Sequence, residues 1–472
     1  MLFSTPIFLF GFLPLVLLGA FVATRIDRLV GERHHLANAW LLLASLVFYF
    51  WGEQWLVLWM VASIATNWLL GLAIGRARAR GGRGLGFVAL GVLVNLGLLG
   101  WFKYANFFVG GFVDGWVEIA LPIGISFYTF QALSYLLDVS RGNAEVQNNP
   151  LDFGLYIALF PQLIAGPIVR YRDIAEQLRE RRASIELFAS GVHRFVLGLT
   201  KKVIVADWAA QAADGLFGVP TSELSPTAAW LGLAAYTIQI YFDFSGYSDM
   251  AIGLGRMFGF RLLENFRWPY ISRSITEFWR RWHISLSSWF RDYLYIPLGG
   301  NRRGVLNTYR NLVLVFLLCG LWHGAAWTFV AWGAYHGLFL VLERRGLGGI
   351  LDRAPVALRH AYVVVVVMFG WLLFRADSLA HAAGYARALV GLTNSPEAVV
   401  HLGRHFGNCQ AAALVLGVIG STPWLPWLGE RLRSYPRPWV EVASLVGLAG
   451  LWFVAMATVA ADTYNPFIYF RF

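Results

Sequence analysis

Charged residues are scarce in this sequence: they make up 14% of its 472 residues, whereas hydrophobic residues make up 58%. Soluble domains carry about 25% charged residues, so a water-soluble fold could not cover this much apolar surface. A lipid solvent removes the difficulty, because helices pair their backbone groups internally while apolar side chains face hydrocarbon. Aromatic residues reach 16%, with 21 Trp, as in proteins whose rings sit at both membrane interfaces. The composition predicts an all-α polytopic membrane protein.

Cysteine is almost absent as well. Cys319 and Cys409 are too few for a disulfide framework, and Cys319 lies in an apolar stretch, as a small core residue would. The sequence has no Cys-x-x-Cys and no His-Glu-x-x-His, which argues against a metal site. It has no Gly-x-Ser-x-Gly and no P-loop, which argues against a serine mechanism or an ATP-driven pump. The formal net charge of +11 is spread over short tracts between apolar runs, which favours cytoplasmic loops over nucleic-acid binding.

Apolar runs that are candidates for membrane spans, which need roughly 20 residues, recur along the chain. They cover residues 6–24, 36–51, 55–75, 85–102, 119–137, 153–169, 187–205, 227–255, 311–342, 361–374 and 442–460. The first run lacks a preceding basic region and a cleavage pattern, so we predict a retained span and no signal peptide. The run 311–342 contains no charged residue but exceeds one span, which favours two helices broken around residues 320–324. No repeat or soluble domain is evident, and we predict one domain over residues 1–472, with core motifs at about 121–344.

Basic loops set the predicted orientation. Residues 76–83 carry four Arg and no acid, which places that loop in the cytoplasm and the N-terminus outside. Residues 170–182 carry five Arg against three acids, yet strict alternation would put them outside. A re-entrant segment at 153–169 resolves the conflict, and Pro161, Gly166 and Pro167 would permit such a hairpin. Irregular backbone at membrane depth is tolerated where it is buried in protein or lines a cavity.

Residues 265–303 are aromatic and strongly basic, and they are too charged to span a membrane. We predict helical segments that lie in the interface or dip into a cavity. The arginines of this segment, including Arg280, Arg281 and Arg302, could bind the phosphates of a donor or simply lipid head groups.

His323 is the candidate catalytic residue, because it lies deep in the charge-free run. An ionisable group inside a membrane is costly, so it usually has a function or a partner. Imidazole takes and returns a proton near neutral pH, as a general base requires, and Gly320 and Gly324 would let a substrate approach closely. The alternative is a buried histidine bonded to a carbonyl. His283 lies in the basic segment, where an interface residue is the ordinary interpretation, and His336, about 140° from His323 on one continuous helix, is predicted to be structural.

Two carboxylates, Asp243 and Asp249, lie among apolar and aromatic residues. A spacing of six places them on different faces of a helix, which disfavours an acid dyad. A structural ion pair with Arg256 or with a basic residue of the following segment is the favoured interpretation.

Several long blocks, taken in order, resemble the membrane-bound O-acyltransferase family and specifically its bacterial alginate O-acetyltransferase branch. They are LPIGISFYTFQALSYLLDV (121–139), FPQLIAGPIVRY (160–171), YFDFSGYSDMAIGLGRMFGF (241–260), NFRWPYISRSITEFWRRWHISLSSWFRDYLYIPLGGNR (265–302), GLWHGAAWTFVAWGAYHGLFLVLER (320–344) and NPFIYFRF (465–472). The resemblance spans most of the chain and weakens in the loops and at about 351–439.

This resemblance implies a helical rim around a thinned core with a central tunnel. It implies His323 as general base, His283 as a tunnel-lining partner, and Arg280, Arg281 and Arg302 as a site that attracts the donor. The donor would be cytoplasmic acetyl-CoA, used as a substrate with no bound cofactor or metal. Acetyl groups would cross the bacterial inner membrane to an exported polysaccharide, most plausibly alginate, with periplasmic esterase-like proteins completing the transfer.

Other functions stay open at this stage. The acceptor could be peptidoglycan or cellulose, or the reaction could be D-alanine transfer towards teichoic acid. A transporter that flips an acylated carrier, or a scaffold for a secretion complex, would not need His323. A transporter would favour inverted repeats, and the sequence shows none by eye.

Overall fold

The computed structural model describes residues 1–31, 34–110, 113, 116–181, 183–393, 398–433 and 438–461. Throughout these ranges the secondary structure is helical, with no strand, which confirms the all-α prediction. The block 465–472 that contributes to the family resemblance lies outside the described residues. The chain forms two compact units, Met1–Phe195 with Tyr247–Leu263, and Val196–Gly246 with Glu264–Phe472. The prediction of a single functional domain stays a prediction.

The helices follow one another along the chain in this order. In the first unit they are α1 (Leu13–Val30), α2 (His35–Glu53), α3 (Val57–Ala79), α4 (Leu85–Leu99), α5 (Ala105–Phe108), α6 (Ile125–Arg141), α7 (Pro150–Ala158), α8 (Phe160–Leu163) and α9 (Tyr171–Arg179). Then come α10 (Ile185–Thr200), α11 (Asp207–Phe217) and α12 (Pro226–Met257); α10 and α12 each contribute residues to both units.

The remaining helices belong to the second unit. They are α13 (Ile275–Arg281), α14 (Ile284–Phe290), α15 (Val305–His323), α16 (Trp327–Leu342), α17 (Gly348–Arg353), α18 (Val356–Arg375), α19 (Leu379–Leu389), α20 (Ala398–His405), α21 (Asn408–Gly420), α22 (Trp424–Arg433) and α23 (Pro438–Ala461). Short π-helical turns lie at Ile7–Phe12, Gly100–Tyr104, Lys201–Ala206, Arg291–Tyr295 and Glu343–Leu347, and 3₁₀ turns at Gln54–Leu56 and Pro269–Ile271.

Six stretches of the described chain are long and apolar enough to cross a membrane. They are Ile7–Val30, His35–Ala79, Leu85–Phe108, Val305–His323, Val356–Arg375 and Trp439–Ala461. The second stretch contains two helices, α2 and α3, which correspond to the predicted spans 36–51 and 55–75. The chain is therefore a multi-pass membrane protein whose surroundings are a lipid bilayer.

Two apolar runs of the first unit depart from simple spans. The predicted span 119–137 begins too early, because the helix starts at Ile125, and the side chains of α6 are almost all buried. The run 153–169 is broken as predicted: α7 ends at Ala158, the ψ of 109° at the next residue, Leu159, is not helical, and only the short α8 follows. Both pieces are buried, as irregular backbone at membrane depth requires.

Candidate active site

His323 is the last residue of α15, and the helical conformation ends directly after it. Gly324 is extended, with φ −163° and ψ 151°, and α16 begins at Trp327. A Cβ atom on Gly324 would overlap the ring of Phe329, so any larger residue after His323 would require that ring to shift. The predicted division of the run 311–342 into two helices is thus confirmed, and His323 lies at the end of the first of them.

Glycines also let α15 and α16 pack backbone against backbone. A Cβ atom on Gly320 would overlap the carbonyl oxygen of Phe329, and a Cβ atom on Gly333 would overlap that of Phe316. Carbonyl oxygens of a helix cannot move aside as a flexible side chain can. The close approach of the two helices therefore fixes where α15 ends and where His323 stands.

Aromatic rings surround the His323 imidazole, which is 6% exposed. The ring centroids of Trp322, Trp332 and Phe374 lie 4.9, 5.1 and 5.2 Å from that of His323, each nearly perpendicular to it. A site walled in this way excludes water, and exclusion of water strengthens electrostatic interactions inside it.

His283 stands at the amino-terminal end of α14, in a left-handed backbone conformation with φ 43° and ψ 55°. Its side chain is 1% exposed and meets the Phe244 ring edge to face at 4.7 Å. Burial lowers the pKa of His283 to about 3, so this imidazole is neutral at physiological pH. Left-handed conformations are uncommon outside glycine and recur at functional sites.

Trp322 contacts both histidines. Its ring centroid lies 4.9 Å from that of His323 and 6.2 Å from that of His283. The structure therefore brings the two predicted catalytic histidines to one place, each near the same indole, although they are 40 positions apart in the chain.

His336 lies in the same aromatic cluster. It is fully buried, and its ring lies 5.1 Å from both Trp279 and Trp332, the latter also a neighbour of His323. The separation expected on one continuous helix does not apply, because the break after His323 places the two histidines on different helices. Its structural role stays a prediction.

The two aspartates form ion pairs, as predicted, but with residues earlier in the chain. Asp249 pairs with Arg194 at 2.6 Å, and Asp243 pairs with the buried Lys202 at 3.1 Å. Lys202 also bonds Asp207, at 2.5 Å. Each aspartate has its own partner, which agrees with the inference that they do not form an acid dyad.

A family model for membrane-bound O-acyltransferases matches residues 122–380, the part of the chain that contains both histidines. The chain belongs to this family. It is 42% identical to a probable alginate O-acetylase of Pseudomonas putida over the full length of both proteins. It is 48% identical to another of Pseudomonas aeruginosa, over 80% of this chain and 73% of the relative. A peptidoglycan O-acetyltransferase of Helicobacter pylori is 39% identical over 100% of this chain and 98% of the relative. The chain is an O-acyltransferase.

The three arginines predicted to attract the donor of this O-acyltransferase differ in their surroundings. Arg280 and Arg302 are exposed, whereas Arg281 pairs with Glu277 at 2.8 Å and donates a hydrogen bond to the Arg267 carbonyl oxygen. Arg281 is therefore engaged within the segment, and Arg280 and Arg302 are the two that face outward.

Sequence reasoning did not single out Asn265, which the structure places beside His283. The Asn265 Oδ1 atom lies 3.2 Å from His283 Nδ1, and both the backbone N–H and the hydroxyl of Ser285 donate to it, at 3.2 and 2.9 Å. The residues lie 18 positions apart in an irregular segment. Because no periodicity relates them, only the fold of the loop reveals the contact.

Proposed function

We propose that this membrane O-acyltransferase transfers an acetyl group with His323 as its general base. The observation that supports this most strongly is the position of His323 at a helix end, inside aromatic walls and next to a second buried histidine. The carboxyl end of α15 carries partial negative charge, which favours the positive charge an imidazole acquires when it takes a proton. A base so placed typically accelerates transfer by about 10² to 10⁴. His283 is its neutral partner in the site.

We further propose that acetyl-CoA on the cytoplasmic side is the donor. A polyanionic donor would be attracted by outward-facing cations, as Arg280 and Arg302 are. The basic tract 76–83 supports a cytoplasmic side for that loop, an N-terminus outside, and location in the bacterial inner membrane.

The proposed acceptor is an exported polysaccharide, alginate in the first place, with periplasmic esterase-like proteins completing the transfer. The support is the likeness to alginate O-acetylases over the full chain. Peptidoglycan is the second candidate acceptor, because the Helicobacter pylori relative also matches over the whole chain.

Acetate released by mild base from exported polysaccharide tests the proposal. Cells would express wild type, His323→Ala or His360→Ala at matched membrane levels. His360 is a suitable control because it is a half-buried histidine outside the aromatic cluster of His323. The Nδ1 atom of His360 lies 3.1 Å from the Ser272 carbonyl oxygen. We expect His323→Ala to lose the ester by about a hundredfold or more, with polymer still exported, and His360→Ala to retain it.

Survival of the ester in His323→Ala would overturn the assignment of the base. Loss of polymer export together with the ester would favour a transporter or scaffold. Acetate measured in parallel on peptidoglycan fragments distinguishes the acceptors: if the dependence on His323 appears there and not on the polysaccharide, alginate is the wrong acceptor.

A further inference from the structure

The contacts around His283 determine which of its ring nitrogens carries the proton. Asn265 is 1% exposed, and one of its amide atoms faces three groups: His283 Nδ1, the Ser285 backbone N–H and the Ser285 hydroxyl. A backbone N–H can only donate, so the amide atom that it meets at 3.2 Å must be the oxygen.

An amide oxygen only accepts hydrogen bonds. A hydrogen bond between that oxygen and His283 Nδ1, 3.2 Å apart, therefore requires Nδ1 to be the donor and to carry the proton. The Ser285 hydroxyl, whose oxygen lies 3.5 Å from Nδ1, already donates to the Asn265 oxygen. The neutral form follows independently from burial. In a neutral imidazole protonated at Nδ1, the Nε2 atom keeps its lone pair and acts as an acceptor.

The backbone of this loop is fixed together with the tautomer. The Ile284 N–H donates to the Asn265 carbonyl oxygen at 2.9 Å, and the Arg267 N–H donates to the Arg281 carbonyl oxygen at 3.0 Å. These bonds join the chain before and after α13 and hold His283 in its left-handed conformation. Such conformations persist where the surrounding structure over-determines them.

We propose that Asn265, supported by Ser285, is a positioning residue that holds neutral His283 in the Nδ1-protonated tautomer. In this tautomer the Nε2 atom of His283 accepts a hydrogen bond from the hydroxyl of the acceptor substrate. The inference rests on the proposed function. It assigns distinct tasks to the two histidines: His323 removes a proton, and His283 orients the hydroxyl group that loses it. Protonation of His283 would convert Nε2 from an acceptor into a donor and so abolish its task.

Two substitutions of Asn265 separate positioning from stability. Asn265→Asp keeps an acceptor oxygen beside Nδ1 but adds a negative charge, which favours protonated His283. We expect activity nearly equal to wild type at alkaline pH, and a His283 that binds its second proton at a higher pH than in wild type when it is followed by ¹⁵N spectroscopy. Asn265→Leu removes the acceptor, and we expect a roughly hundredfold loss of activity at every pH.

Asn311→Leu is the matched control. Asn311 is a fully buried asparagine of the same unit whose amide donates to the Leu298 and Gly300 carbonyl oxygens. We expect it to lower Tm as Asn265→Leu does but to leave activity close to that of wild type. Activity would be followed in permeabilised cells given radiolabelled acetyl-CoA, as alkali-labile label in the polysaccharide.

A spectroscopic measurement tests the tautomer independently of activity. In ¹⁵N-histidine-labelled protein in detergent, the His283 signals are those lost in His283→Gln. We expect a protonated Nδ1 in wild type. A protonated Nε2 beside an unprotonated Nδ1, or a loss of activity in Asn265→Leu no larger than in Asn311→Leu, would overturn the inference even if His323 remained essential. If His323→Ala and His283→Gln were both fully active, the proposed function itself would fail, and the spectrum would still decide the tautomer.

Discussion

The two histidines of the site are held by opposite means. His323 ends a regular helix, and its position follows from glycine-mediated contact between α15 and α16 and from aromatic walls. His283 lies in an irregular segment, and its position follows from hydrogen bonds to Asn265 and from a left-handed backbone. From this difference we expect substitutions that add bulk to displace mainly His323. We expect changes in hydrogen bonding or pH to alter mainly the orientation and protonation of His283.

The largest effect is expected for Gly333→Ala. The new methyl group would overlap the Phe316 carbonyl oxygen, which belongs to the backbone of α15 and cannot rotate away. Overpacking typically costs 1–3 kcal/mol, and a backbone clash should lie at the upper end, about 3 kcal/mol, with loss of acyl transfer because His323 moves. Thermal unfolding in detergent and ester content would be measured together.

Gly337→Ala provides the control on the same helix. Its Cβ atom would lie 3.4 Å from the nearest atom, the Val313 Cα. That contact is ordinary, and alanine favours a helix over glycine by about 1 kcal/mol, so its Tm should equal or exceed that of wild type. Equal losses for both variants would show that the contact of α15 with α16 does not position His323.

The second largest effect is expected for Glu343→Gln, which acts on α13, the helix that precedes His283. The buried Glu343 carboxylate accepts hydrogen bonds from the Ile275 N–H at 2.5 Å, the Thr276 N–H at 3.0 Å, the Thr276 hydroxyl at 2.7 Å and the Tyr362 hydroxyl at 3.2 Å. Glu343→Gln would turn an NH₂ group toward one of these donors, at a cost of about 2 kcal/mol.

Glu277→Gln is the matched control for Glu343→Gln, because Glu277 pairs with Arg281 at a half-exposed position. Such pairs contribute about 0.3–0.5 kcal/mol, so its Tm should scarcely change. The comparison is made by Tm and by ester content. A loss for Glu343→Gln no larger than for Glu277→Gln would mean that Glu343 does not anchor α13.

The smallest effect, over a step of about one pH unit below neutrality, is a dependence of stability on pH. Burial depresses the pKa of His283 from 6.5 to about 3 in the folded protein. Between these values the unfolded chain binds a proton that the folded protein does not, so the free energy of unfolding falls as pH falls, by about 1.4 kcal/mol per pH unit. Well above pH 6.5, where neither the folded nor the unfolded protein binds this proton, the contribution of His283 is constant.

His283→Asn should remove this contribution, because asparagine does not bind a proton in this pH range. Asparagine is a suitable replacement because it tolerates the left-handed backbone better than most residues. Tm would be measured for wild type and His283→Asn at neutral and at mildly acidic pH. An equal fall in Tm for both proteins would show that the acid sensitivity arises elsewhere.

Much of the architecture was predictable because the bilayer restricts the chain to helices. The run 311–342 was too long for one span and carried Gly320 and Gly324, and the break is present at Gly324. The start of α6 was mispredicted, because apolar residues that face protein and those that face lipid look alike in sequence.

The candidate site was only partly predictable. His323 and His283 stood out by residue type and by family resemblance. Arg194 and Lys202 as partners of the aspartates, and Asn265 as partner of His283, depend on contacts between distant residues. A single sequence carries no periodic signal for such contacts.

The length of α16 has a consequence for the surrounding lipid. Its 16 residues extend roughly 24 Å at 1.5 Å per residue, and the π-helical turn Glu343–Leu347 continues it up to the kink at Gly346, whereas the hydrocarbon core of a bilayer is roughly 30 Å thick. A segment shorter than the membrane is accommodated by local thinning of the bilayer or by tilting of its neighbours, at an energetic cost. Because α16 packs against the end of α15 that carries His323, lipid chain length becomes a variable that acts on the active site. Reconstitution in short-chain and long-chain phospholipids would expose this hydrophobic mismatch as a change in turnover of an unaltered enzyme.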